Sequence, residues 1–222
     1  MTAPSRDLPE TSETLDARLR RVCTALLQTF IEMDAEAAIP AMPGASGLQW
    51  YRGSRHKFSI KRRWLRELRR RLAAQGFPTR LNVVFKAGVG RCDCVVEFAP
   101  GAALWLEVVG VWKSFSCRIG QSKQYRCALF HPLLPNPVAG INTVPNALQR
   151  LRALQAPAHA RTYAGVLVLG FETPEDPLEQ DIEVLERISE LRDECWKRES
   201  RTWVTNEKHP ERVSAYFWVR AV

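Results

Sequence analysis

Hydrophobic positions recur at helical spacing early in the chain, at alternate positions in its middle, and in an unbroken run later on. Leu15, Leu19, Val22, Leu26, Phe30 and Met33 fall near a 3.6-residue period and predict an amphipathic helix. Ile60, Trp64, Leu68 and Leu72 predict a second, capped near Ser59 and ended by Gly76. Arg80 to Lys86 reads as a strand ended by glycines. RCDCVVEF (91–98) and ALWLEVVGVWK (103–113) read as two more, joined by a Pro-Gly turn into a hairpin. Gln121 to Phe130 and Asn146 to Leu154 are expected as helices, with a Pro-rich loop between them. Ala164 to Phe171 has the unbroken apolar character of a strand buried on both faces. Leu178 to Lys197 predicts a long helix with Ile182, Leu185, Ile188, Leu191 and Cys195 inward, and Ser214 to Arg220 a last strand. The expected organisation is a disordered tail over 1–14, a helix and linker over 15–47, and one α/β domain over 48–222.

The hairpin carries the first chemical signal. Strand side chains alternate, so Asp93, Val95 and Glu97 share one face, and Trp105, Glu107 and Val109 one face of the partner. With the turn centred on Pro100, Asp93 stands opposite Glu107. Opposed side chains sit about 4.5–5.5 Å apart at Cβ. Two carboxylates at that separation repel unless a proton or cation lies between them. A hard cation such as Mg²⁺ suits two carboxylates and retained water.

This layout resembles the PD-(D/E)xK, or restriction-endonuclease-like, nucleases. Their signature is an Asp entering one strand and (Asp/Glu)-x-Lys on the next. Asp93 and Glu107 match the two acids, while Val109 stands where the lysine belongs. QSKQY (121–125) resembles the Gln-x-x-x-Tyr element of RecB-like members, and Glu67 matches a further acid on an upstream helix. The resemblance covers roughly residues 58–171. It implies an αβββαβ core with a central mixed sheet flanked by helices, here with an extra N-terminal helix. It implies that Asp93 and Glu107 bind Mg²⁺ (or Mn²⁺), which activates water and neutralises charge on a scissile phosphate. It places Gln121, Tyr125 and Glu67 at the site. A migrated lysine would replace the one lost at Val109, with Lys123 preferred over Lys113 and Lys86. Glu67 has a second reading as an intrahelical partner of Arg63, Arg70 or Arg71.

Charge sharpens the picture. The chain has 32 basic and 24 acidic residues, a net charge of +8. Residues 52–71 hold ten Lys or Arg against one acid, Glu67, so the basicity is a patch. Arg62, Arg63, Arg66, Arg69 and Arg70 are the candidate contacts to a phosphate backbone. A solvated helix face is the plainer alternative. Trp50, Tyr51, Trp64 and Trp112 are candidates for base stacking, Trp64 with a second reading as core on its apolar stripe, and His131 for a phosphate contact.

Composition excludes several classes. The longest apolar run, Tyr163 to Phe171, falls far short of the roughly 20 residues that span a bilayer. With no leader-like start, a cytoplasmic protein without a membrane partner is expected. The six cysteines show neither a disulfide framework nor zinc-finger spacing, and read as reduced, buried thiols. The expected function is a metal-dependent nuclease or nuclease-like subunit. By the resemblance it acts on DNA, in a prokaryotic-style DNA-processing or defence system, with a protein partner for targeting. The alternative is a silent nuclease fold that binds nucleic acid or a protein through its basic helix. A third reading is an α/β interaction domain with no polyanion partner.

Overall fold

The computed structural model describes residues 14–37, 48, 57–85, 90–113, 116–119, 123–126, 133, 143–154, 160–204 and 212–222. The expected tail lies outside these residues apart from Thr14, and the linker lies almost wholly outside them. Helices α1 (Leu15–Ala37) and α2 (Lys57–Ala74) precede strands β1 (Thr79–Val84), β2 (Arg91–Ala99) and β3 (Ala102–Trp112). A short hairpin, β4 (Ser116–Ile119) and β5 (Lys123–Arg126), leads toward α3 (Val144–Arg152) and β6 (Arg161–Glu172). Then come α4 (Glu179–Ile188), β7 (Lys197–Val204) and β8 (Arg212–Ala221). Six strands form one mixed sheet in the order β1-β2-β3-β6-β8-β7. Only the β3–β6 pair is parallel, so a crossover that includes α3 joins them, as parallel pairing requires.

The central strands of the sheet bury both faces. On one side Leu26, Phe30, Trp64, Leu68 and Leu72 from α1 and α2 pack against Val96, Leu106, Leu169 and Phe217. On the other, Leu148, Leu151, Ile182 and Leu185 from α3 and α4 cover Val95, Val109, Val166 and Trp218. The result is an α/β fold with helices on both faces of a mixed sheet, as the sequence led us to expect. β6 lies near the sheet centre and is buried along almost its whole length. This explains its unbroken apolar run.

Several expectations change. Lys123–Arg126 is a strand, not part of a helix over 121–130. It pairs antiparallel with Ser116–Ile119, and in the sequence a glycine, Gly120, between two short β-prone runs favours a hairpin. The helix expected to reach Lys197 ends at Ile188, where Ser189 turns to extended backbone and starts a 3₁₀ turn, Glu190–Arg192. Ile188 and Cys195 are therefore exposed rather than inward. The polar stretch beyond becomes β7. Ser59 lies inside α2, which begins at Lys57. Trp64 is core: its ring packs on Trp112 at 6.1 Å and on Phe171 at 5.9 Å, so neither tryptophan forms a free stacking platform. Trp50, Tyr51 and His131 lie outside the described residues. Cys23, Cys92 and Cys94 are buried free thiols. Among the described residues no helix is long and apolar enough to cross a membrane.

Candidate functional site

Asp93 and Glu107 meet where β2 and β3 part. The ladder runs Glu97↔Ala103, Val96↔Leu104, Val95↔Trp105 and Cys94↔Leu106, then stops. One further step in that register brings residue 93 across from residue 107, the opposition that the turn predicts. The side chains do not follow the expected alternation. Cys94 packs in the α1/α2 layer, yet Cys92 packs in the α3/α4 layer. Leu81 and Val83 on β1 show the same reversal. Asn82, between them and across from Asp93, has φ +53. Left-handed backbone at a strand position twists it sharply, and asparagine tolerates that conformation. Asp93 therefore sits at the point of reversal, close to the plane of the sheet. Its Oδ2 accepts from the Val108 backbone N at 2.8 Å, taking the place of a ladder acceptor.

Each acid is then claimed by a cation from a different layer. Lys61 Nζ of α2 lies 2.5 Å from Asp93 Oδ2. Arg150 of α3 grips Glu107 bidentately, Nε to Oε1 at 2.9 Å and Nη2 to Oε2 at 2.8 Å. Thr143 caps α3 by accepting from the Asn146 backbone N, and Val144, Ala147, Leu148 and Leu151 bury the helix. Arg150 is thereby aimed at the sheet. Its stem passes Gly90, whose φ of +113 favours glycine and where an added Cβ would stand 3.4 Å from Arg150 Cδ. The expectation of two carboxylates side by side on one face, sharing one cation, thus gives way to two ion pairs drawn to opposite sides. Glu107 is fully buried, and burial pushes its carboxyl up to about 7. The Arg150 fork opposes that shift and the charge of Asp93 adds to it. Burial likewise raises the Cys92 and Cys94 thiols well above their ordinary range, so they are poor nucleophiles and poor metal ligands.

Three of the four oxygens of the pair already accept from N–H donors. Among the described residues no group of three or more His, Cys, Asp or Glu side chains could hold a metal ion. As arranged, the pair does not fit a divalent cation, which would first have to displace Lys61 and Arg150.

The other expected site residues separate from this pair. Val109 is packed in the α3/α4 core. Lys113 donates to the Pro177 carbonyl at 2.9 Å and pairs with Asp176 and Asp181, both at 2.6 Å. That fixes the end of β3 to the start of α4. Lys123 and Tyr125 lie two apart on β5, and Gln121 and Lys86 lie outside the described residues. The shared helix face expected of Gln121 and Tyr125 is lost with the helix. Glu67 follows its intrahelical reading: Arg70 Nη2 reaches it at 2.5 Å and Arg71 Nε at 2.8 Å. Arg71 continues to Glu36 of α1, tying the two helices together. The Arg70 bond above all holds the Glu67 carboxyl down at about 2. Lys61 and Arg150, which complete the ion pairs, escaped the sequence reading. Lys61 was one of ten cations in a run, and Arg150 had no local mark at all.

The basic patch resolves into a face. Arg62, Arg66, Arg69 and Arg70 are exposed at i, i+4, i+7 and i+8 of α2, one stripe opposite Trp64, Leu68 and Leu72. Arg63 is half-buried at its flank. Among the described residues Arg62, Arg66 and Arg69 meet no carboxylate within ion-pair distance.

Fold and site define an α/β protein with a mixed six-stranded sheet and an acid pair at the parting of two strands. Comparison with family models, with curated proteins and with solved structures returned no match.

Proposed function

We propose that this chain is a nuclease-like α/β domain that binds nucleic acid through the arginine face of α2, with the Asp93–Glu107 pair kept as a structural ion-pair node. One observation carries the reading: both acids are already neutralised by protein cations, while Arg62, Arg66 and Arg69 of the stripe are exposed and meet no carboxylate within ion-pair distance among the described residues. A phosphate backbone supplies the missing anions at the spacing of a helix face. Fluorescence anisotropy of labelled DNA and RNA between 50 and 200 mM salt tests it. Binding should weaken steeply with salt, and replacing Arg62, Arg66 and Arg69 by Ser should reduce the log–log slope by about 0.7–0.9 per lost contact. Salt-independent binding, or none, would defeat the reading.

A second reading is a metal-dependent phosphodiesterase. It is favoured by Lys61, which stands beside Asp93 and restores an acid–acid–lysine set although Val109 occupies the usual position. Incubating plasmid and single-stranded substrates with Mg²⁺, Mn²⁺ or EDTA separates the two. Cleavage that depends on metal and is lost in Asp93→Asn would make this reading the correct one.

A further inference from the structure

Among the described residues a large cavity lies away from the acid pair. It is a groove of about 800 Å³ at the end of the sheet, where the β2–β3 turn, the starts of β1 and β6, α1 and the end of α3 converge. Four arginines line it, Arg18, Arg21, Arg80 and Arg161, against one acid, Glu97. Arg80 is 60% exposed and its ion pair with Glu97, 48% exposed, spans 3.2 Å. A solvated pair of that kind is weak and exchangeable. Arg161 is exposed, and its backbone N bonds to the Gly101 carbonyl at 2.8 Å, which fixes its base at the groove's edge.

The wall between these cations is apolar. Phe77, Phe98, Trp105 and Leu154 contribute to it. Trp105 is half-buried and stacked on Phe85 at 5.5 Å, so the indole is held rigid from behind. The volume falls within the roughly 300–1,000 Å³ of small-molecule sites. It far exceeds what an inorganic anion needs. Arginine forks recognise phosphate oxygens in pairs, and a fixed aromatic wall suits a planar ring.

We propose that this groove is a binding site for a nucleoside monophosphate unit, free or at the end of a nucleic-acid strand. The phosphate meets Arg80 at the rim and the base lies along Trp105 and Leu154 on the same face of the sheet, while Arg161, at the head of β6 and of opposite strand parity, adds positive potential. Arg18 and Arg21 add positive potential from α1. The site does not depend on the α2 reading, because its residues are different and a mononucleotide is too small to need an extended helix face. On β3, Trp105 and Glu107 share a face two residues apart, about 7 Å along the strand. A strand entering the groove would thus run toward the Glu107–Arg150 pair.

The test is calorimetric titration of the full chain with adenosine monophosphate, with inorganic phosphate, and with a short single-stranded oligonucleotide. Adenosine monophosphate should bind at least about tenfold more tightly than phosphate, because the ring adds stacking that phosphate lacks. Arg80→Ala/Arg161→Ala should weaken it by about tenfold or more, as loss of charge-assisted bonds does. The exposed control Arg201→Ala on β7 should not. Trp105→Leu should bring adenosine monophosphate toward the affinity of phosphate, with circular dichroism checking the fold. The two arginine changes lie on exposed side chains and keep the test valid if Trp105→Leu fails to fold. Oligonucleotide binding sensitive to the same arginines, with weak mononucleotide binding, would assign the site to a strand end. Equal affinity for phosphate and adenosine monophosphate, or wild-type binding by the double arginine variant, would overturn the proposal. Salt-sensitive oligonucleotide binding that ignores the groove variants would leave the α2 reading standing and remove this one.

Discussion

Glu67 on α2 and Glu107 on β3 lie on opposite sides of the sheet, and both are buried and bonded to arginine. Their carboxyls move in opposite directions, down to about 2 for Glu67 and up to about 7 for Glu107. The difference lies in what surrounds each bond. Glu67 has two arginines, one of them exposed at the helix surface, and bonding outweighs burial. Glu107 sits in mid-sheet with a single fork, beneath α3 and near the negative Asp93, and burial outweighs bonding. An arginine contact alone therefore does not say whether a buried carboxylate favours the folded state. The number of donors, the depth and the nearest like charge decide it.

The sharpest way to break the comparison is to remove the single fork. Arg150→Met should destabilise the protein by about 3–5 kcal/mol, because an unpaired carboxylate is left buried. Denaturant unfolding near pH 8 measures it. The loss should be smaller at pH 5, where Glu107 can take up a proton.

Removing the charge of Glu67 should cost less, about 1–3 kcal/mol, since Arg71 keeps its partners on α1. The pH dependence has a definite sign. The folded carboxyl titrates at about 2, below its unfolded value near 4.5. Its contribution is present above the unfolded value and is lost as pH falls toward 2. Glu67→Gln should flatten this acid limb of the stability curve. An unchanged limb would show that other carboxylates carry it.

Glu107 has the opposite sign. Its folded carboxyl titrates at about 7, so between roughly pH 4.5 and 7 the folded state holds the proton more tightly than the unfolded chain. Stability should fall across that window as pH rises, by at most about 1.4 kcal/mol per pH unit from this group. The slope should diminish in Glu107→Gln. A wild-type curve that matches the variant through this window would mean that the Arg150 fork dominates after all.

The smallest effect belongs to the exposed stripe. Single replacements of Arg62, Arg66 or Arg69 by Ser should shift stability by about 0.5 kcal/mol or less. A larger shift would place these arginines among the structural cations, with Arg71 and Arg150, rather than among the binding ones.

Much of the architecture was legible. The spacing of Leu26, Phe30 and Met33, and of Trp64, Leu68 and Leu72, marks helices whose apolar faces are indeed buried. The Pro-Gly turn gives the hairpin, a bulge between Glu97 and Ala99 sets the register beyond it, and the apolar run gives β6. β7 was not legible. Its residues are almost all exposed on both faces, so KRESRTWV carries no alternation, and pairing with β8 alone makes it a strand. Its charged side chains suit an uncovered sheet edge. The end of α4 at Ile188 was missed for a related reason: helical spacing continued through Leu191, while the backbone had already turned.

At the candidate site, the sequence by itself determined the two acids, their place on the two strands of one hairpin, the valine in place of a lysine and the arginine run on one helix. Local periodicity and turn chemistry are short-range, and these features need nothing more. The tertiary structure decided the partners and the directions. Lys61 and Arg150 reach Asp93 and Glu107 from elements remote in sequence, Arg150 across 43 residues, and a long-range ion pair leaves no period to read. The left-handed Asn82 turns Asp93 out of the alternation that a regular strand would impose, so the two carboxylates part to different cations. Side-chain direction is set by backbone twist and by the layers packed above and below, and those exist only once the sheet and its helices have assembled.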